Sequence, residues 1–362
     1  MPMKKVSVLI VDDSAFIRKA MKRMLGSDPM IEVLGEARDG MEALELLKKL
    51  NPDVVTLDVK MPDMDGLAAL ERIMIENPTP VLMVSSLTSE GGEITLRALE
   101  MGAVDFIDKS SCGTTMDILD IGDSLVQKVK VIAGVDLKKV VESKPSAKAV
   151  IFSPNTSDVK AKDENPSHIV AIGTSTGGPM SLDRVLSSIP GDYPGAILVV
   201  QHMPVGFTHS LAERMNRQCS MTVKEAEEGD IILPGNIYIA PGGYHLKLRR
   251  SRDKYRTVIS KDPFDYPHRP SVDVMMKSIA DTWEGKILGI IMTGMGHDGS
   301  EGVKAIKQKG GTILAQNEET CVVFGMPKAA YLTGCVDRMV SLDHLGSEIH
   351  KFAGSRIDCM PS

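Results

Sequence analysis

A chain of 362 residues exceeds one ordinary domain, so two domains are expected. Its net charge of -6, without a compact Lys/Arg block, argues against nucleic-acid binding, and no apolar run reaches membrane-spanning length. Residues 1–11 lack the apolar core and cleavage site of a signal peptide, and Cys112, Cys219, Cys321, Cys335 and Cys359 are far apart without a C-x-x-C, so reduced thiols in a cytoplasmic protein are expected rather than disulfides or zinc.

Residues 5–11 read as a buried strand ending in Asp12 and Asp13. A helix follows, capped by Ser14 and carrying Phe16, Ile17, Ala20, Met21 and Leu25 at helical spacing. Strands at 32–37, 54–57, 81–85 and 105–107 then alternate with helices at 40–50, 67–75 and 92–101. That alternation predicts a parallel sheet wound on both faces, with chemistry at the carboxyl ends of its strands. Those ends carry Asp12, Asp13, Asp58, Ser85 and Lys109. Converging carboxylates repel, and a hard divalent ion such as Mg²⁺ is the physical remedy. A carboxylate so supported can attack a phosphoryl group, with Lys109 neutralising the product's oxygens. One aspartate at a strand end is commonly a turn or cap residue; all five polar residues in one βα array are a stronger signal.

The motifs VLIVDDS, TLDVKMPDMDG, MVSSLTS and GAVDFIDKS, within residues 4–125, resemble the receiver domain of two-component response regulators. The resemblance implies a flavodoxin-like fold, Asp58 as phosphoacceptor, and Asp12 and Asp13 holding Mg²⁺ with it. It further implies Ser85 as the switch hydroxyl, Phe106 as the reorienting aromatic, Lys109 as the phosphoryl contact and a chemotaxis histidine kinase as phosphodonor. Ser110 stands where many receivers have proline. We place the receiver at 1–125 and a linker at 126–166. Helical spacing of Ile118, Ile121, Leu125, Val129 and Ile132 leads outward to a break at Gly134. Beyond residue 142 the text turns rich in Lys, Ser, Pro and Asp.

Residues 169–172 read as a short buried strand, followed by a glycine turn and a helix with Pro179 in its first turn. Ser175 sits in that turn. The turn suits a phosphate cradle, or a nucleophilic serine with the Thr176 N–H as an oxyanion donor. A second buried strand, 196–200, ends at Gln201 and His202; His209, further on, reads as surface. Runs at 223–226, 236–240, 244–249 and 257–260, with Pro-Gly turns, predict an antiparallel extension. The polar residues of 267–273 could line a cleft, although capping by Ser271 suffices to explain them. A third strand, 287–292, runs into a glycine loop bearing Asp298, and further βα units complete a doubly wound domain over 167–354, with a tail at 355–362.

Ser175, His202 and Asp298 thus each follow a central-strand candidate, which suits a nucleophile, a general base and a carboxylate that orients the imidazole. Their chain order differs from that of α/β-hydrolases and of chymotrypsin-like and subtilisin-like proteases, so none of those folds is implied. His297 is a rival base, but adjacent side chains diverge and Asp298 cannot easily orient it.

The motifs AIGTSTGGP, VVQHMP, YIAPGGYH, RPSVDVMM, MTGMGHDG and AQNEETCVVFGMPKAA, within 167–352, resemble the catalytic domain of chemotaxis protein-glutamate methylesterases. The resemblance implies a Rossmann-like α/β domain without a cofactor, the triad Ser175–His202–Asp298, and oxyanion donors at the backbone N–H groups of Thr176 and Met295. It implies hydrolysis of glutamyl methyl esters on methyl-accepting chemotaxis receptors with release of methanol, deamidation of receptor glutamines, and an unphosphorylated receiver that covers the cleft. Two rival readings are an output domain that only binds a phosphorylated ligand at the GTSTGG turn, and a DNA-binding output, for which no helix-turn-helix is evident.

Overall fold

The structure is a computed structural model that describes residues 4–85, 89–108, 117–142 and 165–354. Lys109, Ser110, most of the expected linker and the tail lie outside the described residues, as does the side chain of Ser85. The chain divides into two compact units, Met1–Glu142 and Ser143–Ser362. Among the described residues, no helix is long and apolar enough to cross a membrane.

In the first unit, β1 (Val6–Val11), β2 (Ile31–Ala37), β3 (Val54–Asp58), β4 (Val81–Ser85) and β5 (Asp105–Asp108) form one parallel sheet in the order β2-β1-β3-β4-β5. This is the flavodoxin-like order, whose switch point lies between β1 and β3. The central strands are apolar runs because helices cover both faces. Side-chain caps start those helices: Ser14 accepts from Ile17 N at α1 (Ala15–Leu25), Asp39 from Glu42 N at α2 (Gly40–Leu50), and Asp65 from Ala68 N at α3 (Gly66–Glu76). Gly66 must be glycine, since a Cβ there would lie 2.0 Å from the carbonyl oxygen of Asp58. The helix α4 (Ser89–Met101) precedes β5. Leu125, Val126, Val129 and Ile132 of α5 (Asp117–Ile132) are buried, and Val140 of α6 (Leu137–Glu142) is too. The apolar stripe therefore carries the unit on to Glu142, beyond the boundary expected at 125, with the helix interrupted around Gly134.

The second unit holds a seven-stranded sheet in the order β14-β13-β12-β6-β7-β9-β8, parallel throughout. Its strands are β6 (His168–Thr174), β7 (Ala196–Gln201), β8 (Thr222–Glu225), β9 (Asn236–Ile239), β12 (Lys286–Ile291), β13 (Thr312–Gln316) and β14 (Arg338–Val340). A two-stranded antiparallel hairpin, β10 (His245–Ser251) with β11 (Lys254–Ser260), stands beside it. The expected antiparallel extension is thus half the size foreseen, because β8 and β9 belong to the main sheet. Between them the chain crosses to the hairpin, where Ile232 N bonds Tyr255 O at 2.9 Å and Ile232 is fully buried, and then returns. That excursion supplies the crossover that two parallel neighbours require. Leu246, Leu248 and Tyr255 join Met275, Met276 and Ile279 of α9 (Val272–Thr282) in the core beneath the site.

Candidate active site

Strands β6, β7 and β12 are neighbours in register: Thr174 opposes Gln201, and Gly173 opposes Ile291. The residues that follow them therefore emerge at one edge. Ser175 leaves β6 with its N–H donating to Thr293 O (3.0 Å), and the N–H of His202 donates to Thr174 O (3.1 Å). The Gln201 side-chain amide lies between the two loops and donates to the carbonyls of Ser175 (3.0 Å) and His202 (3.1 Å). Thr293 is fully buried beneath them. It receives a bond from Thr174 Oγ1 on its carbonyl (2.8 Å), donates its N–H to Gln316 Oε1 (2.8 Å), and its hydroxyl reaches Thr176 O (3.0 Å). These bonds tie the β6, β7 and β12 loops to one another and fix one geometry for the edge.

Asp298 reaches His202 across the edge, Oδ2 to Nε2 at 2.8 Å, and both side chains are about 9% exposed. The same carboxylate accepts from Ser271 Oγ (2.9 Å), Val272 N (2.7 Å) and Asp273 N (3.0 Å). It thus sits on the N-terminus of α9, where unpaired N–H groups and the helix dipole favour negative charge. Burial alone would raise its pKa, but the His202 hydrogen bond and charge and the two backbone donors outweigh it and hold the carboxyl well below its ordinary value. Among the described residues no hydrogen bond joins Ser175 Oγ to His202; the two are set by their shared backbone ties. Beside them Met295 N–H makes no hydrogen bond among the described residues. The loop before it is pinned by Gly325 N and Met326 N, both donating to Gly294 O. Gly294 also needs to be glycine, because a Cβ would lie 2.9 Å from that of Ser175.

Residues 170–349 match the CheB methylesterase family and residues 8–117 match the response regulator receiver domain. The chain is similar, at 45% identity, to a protein-glutamate methylesterase/protein-glutamine glutaminase of Nitratidesulfovibrio vulgaris, over 95% of this chain and 98% of that protein. A Halalkalibacterium halodurans protein of the same description is 47% identical over 95% and 97% of the two chains. The chain belongs to the protein-glutamate methylesterase family. The methylesterase catalytic domain of Thermotoga maritima, in its crystal structure, superposes on 52% of this chain and 99% of that one, with a TM-score of 0.50 and 41% identity.

In this methylesterase family member, the receiver's acidic residues also converge. One oxygen from each of Asp12, Asp13 and Asp58 lies within 4.8 Å of the others, with Asp12 and Asp58 buried and Asp13 exposed. A receiver domain implies the Mg²⁺-supported phosphorylation site typical of its kind, and three clustered carboxylate oxygens are the donor set a hard divalent ion takes. Phe106 is buried in β5. Ser85 ends β4 in register with Asp108, while Lys109 falls outside the described residues.

His297 is exposed, and the buried partner of Asp298 is His202. Sequence reasoning missed Gln201, Thr293 and Gln316, polar residues at strand ends whose partners come from other strands. It also gave Ser271 only a cap's role. Ser271 does accept from Val274 N, yet it donates to Asp298 as well. His268 stacks on His202 with ring centroids 4.4 Å apart, a contact that no spacing rule announces.

Proposed function

We propose that this protein is a phosphorylation-regulated serine hydrolase that demethylates glutamyl methyl esters, and deamidates glutamines, on methyl-accepting chemotaxis receptors in the cytoplasm. The observation that carries this reading is the buried His202–Asp298 hydrogen bond at the same sheet edge as Ser175. With Nε2–H donating to Asp298, Nδ1 is the ring nitrogen left to act as base. Ser175 Oγ attacks the ester carbonyl while Nδ1 takes its proton, and the N–H groups of Thr176 and Met295 stabilise the oxyanion. The same proton passes to the departing methoxide, giving methanol and an acyl-enzyme. Water, deprotonated by His202, then releases the glutamate carboxylate and restores the serine. A glutamine follows the same course with ammonia leaving. Asp298, held ionised by α9, stabilises the imidazolium formed in each step.

The receiver supports the regulatory half. Asp58 would accept the phosphoryl group from a histidine kinase, with Asp12 and Asp13 completing the oxygen set for Mg²⁺. Bound there, Mg²⁺ would offset the like charges and the phosphoryl oxygens. Ser85, Phe106 and Lys109 would then respond to the phosphorylated state, biasing the chain toward an active population. Methanol release from methylated receptor membranes tests the chemistry: Ser175→Ala should reduce it at least about 10³-fold; an unchanged rate would remove Ser175 as nucleophile, and no release by the wild type would leave a ligand-binding output as the better reading. Acetyl phosphate with Mg²⁺ should raise the wild-type rate and leave Asp58→Asn unmoved.

A further inference from the structure

The loop bearing His268 continues into Arg269, whose guanidinium lies 5.3 Å from the centre of the Phe264 ring. The ammonium of Lys261 lies at the same distance, 5.3 Å, over the ring of Tyr244. Among the described residues neither cation makes an ion pair or a side-chain hydrogen bond, although most other basic side chains of this unit do. Phe264 and Tyr244 are themselves exposed, at 63% and 38%, so each cation lies on a ring at the protein surface. The neighbouring charges on the segment are the exposed Asp262 and Asp265, which take neither cation, while Lys277 of α9 bonds the Tyr266 hydroxyl at 3.0 Å. The His268 ring, stacked on His202, places this rim beside the catalytic pair, and Gly243 N, donating to Arg269 O at 3.0 Å, joins the Tyr244 loop to it.

A cation lying on an aromatic face is partly immobilised yet keeps its outer donors free, so less freedom is lost when it takes an anion. A guanidinium so held matches the planar, two-oxygen form of a carboxylate. The reaction itself says where carboxylates occur. Each ester hydrolysed leaves one on the substrate protein, so any substrate with several glutamyl targets carries carboxylates near those still esterified.

We propose that Arg269 and Lys261 form a carboxylate-reading rim beside the catalytic pair, so that the enzyme prefers glutamyl esters flanked on the substrate protein by acidic residues. This rests on the esterase reading above and adds a substrate preference to it.

The test uses the full-length chain and two helical peptides, each with one glutamyl γ-methyl ester, flanked one helical turn away by Glu in one and by Gln in the other. The wild type should favour the Glu-flanked peptide in kcat/KM by about fivefold, mainly through KM, and salt should erode the preference. Arg269→Gln with Lys261→Gln should remove the preference while holding the Gln-flanked rate within about twofold; Arg269→Lys should retain part of it. Equal treatment of both peptides by the wild type, or an equal fall on both peptides in the double variant, would overturn the rim. So would product inhibition by the demethylated Gln-flanked peptide that weakens in the double variant, since the cations would then read the new carboxylate. Hydrolysis of the Gln-flanked peptide, and its loss in Ser175→Ala, reports on the esterase reading separately.

Discussion

Both units gather their polar residues at the carboxyl edge of a parallel sheet, yet they treat charge in opposite ways. The first brings Asp12, Asp13 and Asp58 within a few ångströms of one another, like charges that repel in a partly buried setting. The second gives Asp298 an imidazole, a hydroxyl and two helix N–H groups. The first edge therefore offers the oxygen set that a divalent cation takes. The second is neutralised from within and preset for chemistry. The same architecture thus suits an ion site or a preorganised site according to whether its carboxylates cluster with one another or one of them is seated on a helix N-terminus beside a base.

The largest test of this contrast is Asp298→Asn. An amide presents a donor as well as an acceptor to a ring held by Asp298, so it should favour the wrong imidazole tautomer and lower kcat on the order of 10³–10⁴-fold, with circular dichroism little changed. A loss under tenfold would break the proposed triad. Gln201→Leu comes next. It removes the bonds that tie the Ser175 and His202 carbonyls and should cost about 10² in kcat through misplacement, with KM moving far less.

The first edge should instead depend on its ion. Mg²⁺ titrated into the full-length chain should raise the melting temperature of the receiver transition, and Asp12→Asn should weaken that effect by about tenfold in apparent affinity. No dependence on Mg²⁺ in the wild type would contradict the contrast.

A separate effect, on stability rather than activity, lies at the opposite end of β6. There His168 is buried between Ser167 Oγ (2.8 Å) and Tyr193 OH (2.6 Å). Burial, aided by the Lys286 charge, lowers its pKa to about 4. Its folded pKa lies below the ordinary 6.5, so the unfolded chain binds more protons between the two values. Its contribution is thus fully present above pH 6.5 and is lost as pH falls toward 4. Denaturant titrations of the catalytic unit's transition should show about 1–3 kcal/mol lost across that window, and His168→Gln should flatten the slope there.

Much of this was legible in the residues. Alternating apolar runs and amphipathic helices determined two parallel α/β domains, since a strand buried on both faces must be apolar throughout and a surface helix must show one apolar stripe. The strand-end positions of Asp12, Asp13, Asp58, Ser175, His202 and Asp298 followed, because a residue just beyond a buried run has to emerge at the sheet edge. Strand order did not follow. Runs at 223–226 and 236–240 look alike whether paired parallel or antiparallel, and only the crossover through β11 decided the matter. Nor did the division at Glu142, which rests on Val129, Ile132 and Val140 finding apolar neighbours rather than on composition. The seat of Asp298 on α9, the Gln201 ties and the stacking of His268 depend on atoms brought together from distant parts of the chain. Spacing along a sequence encodes which face a side chain occupies within its own element; what waits opposite that face is set only when the elements pack.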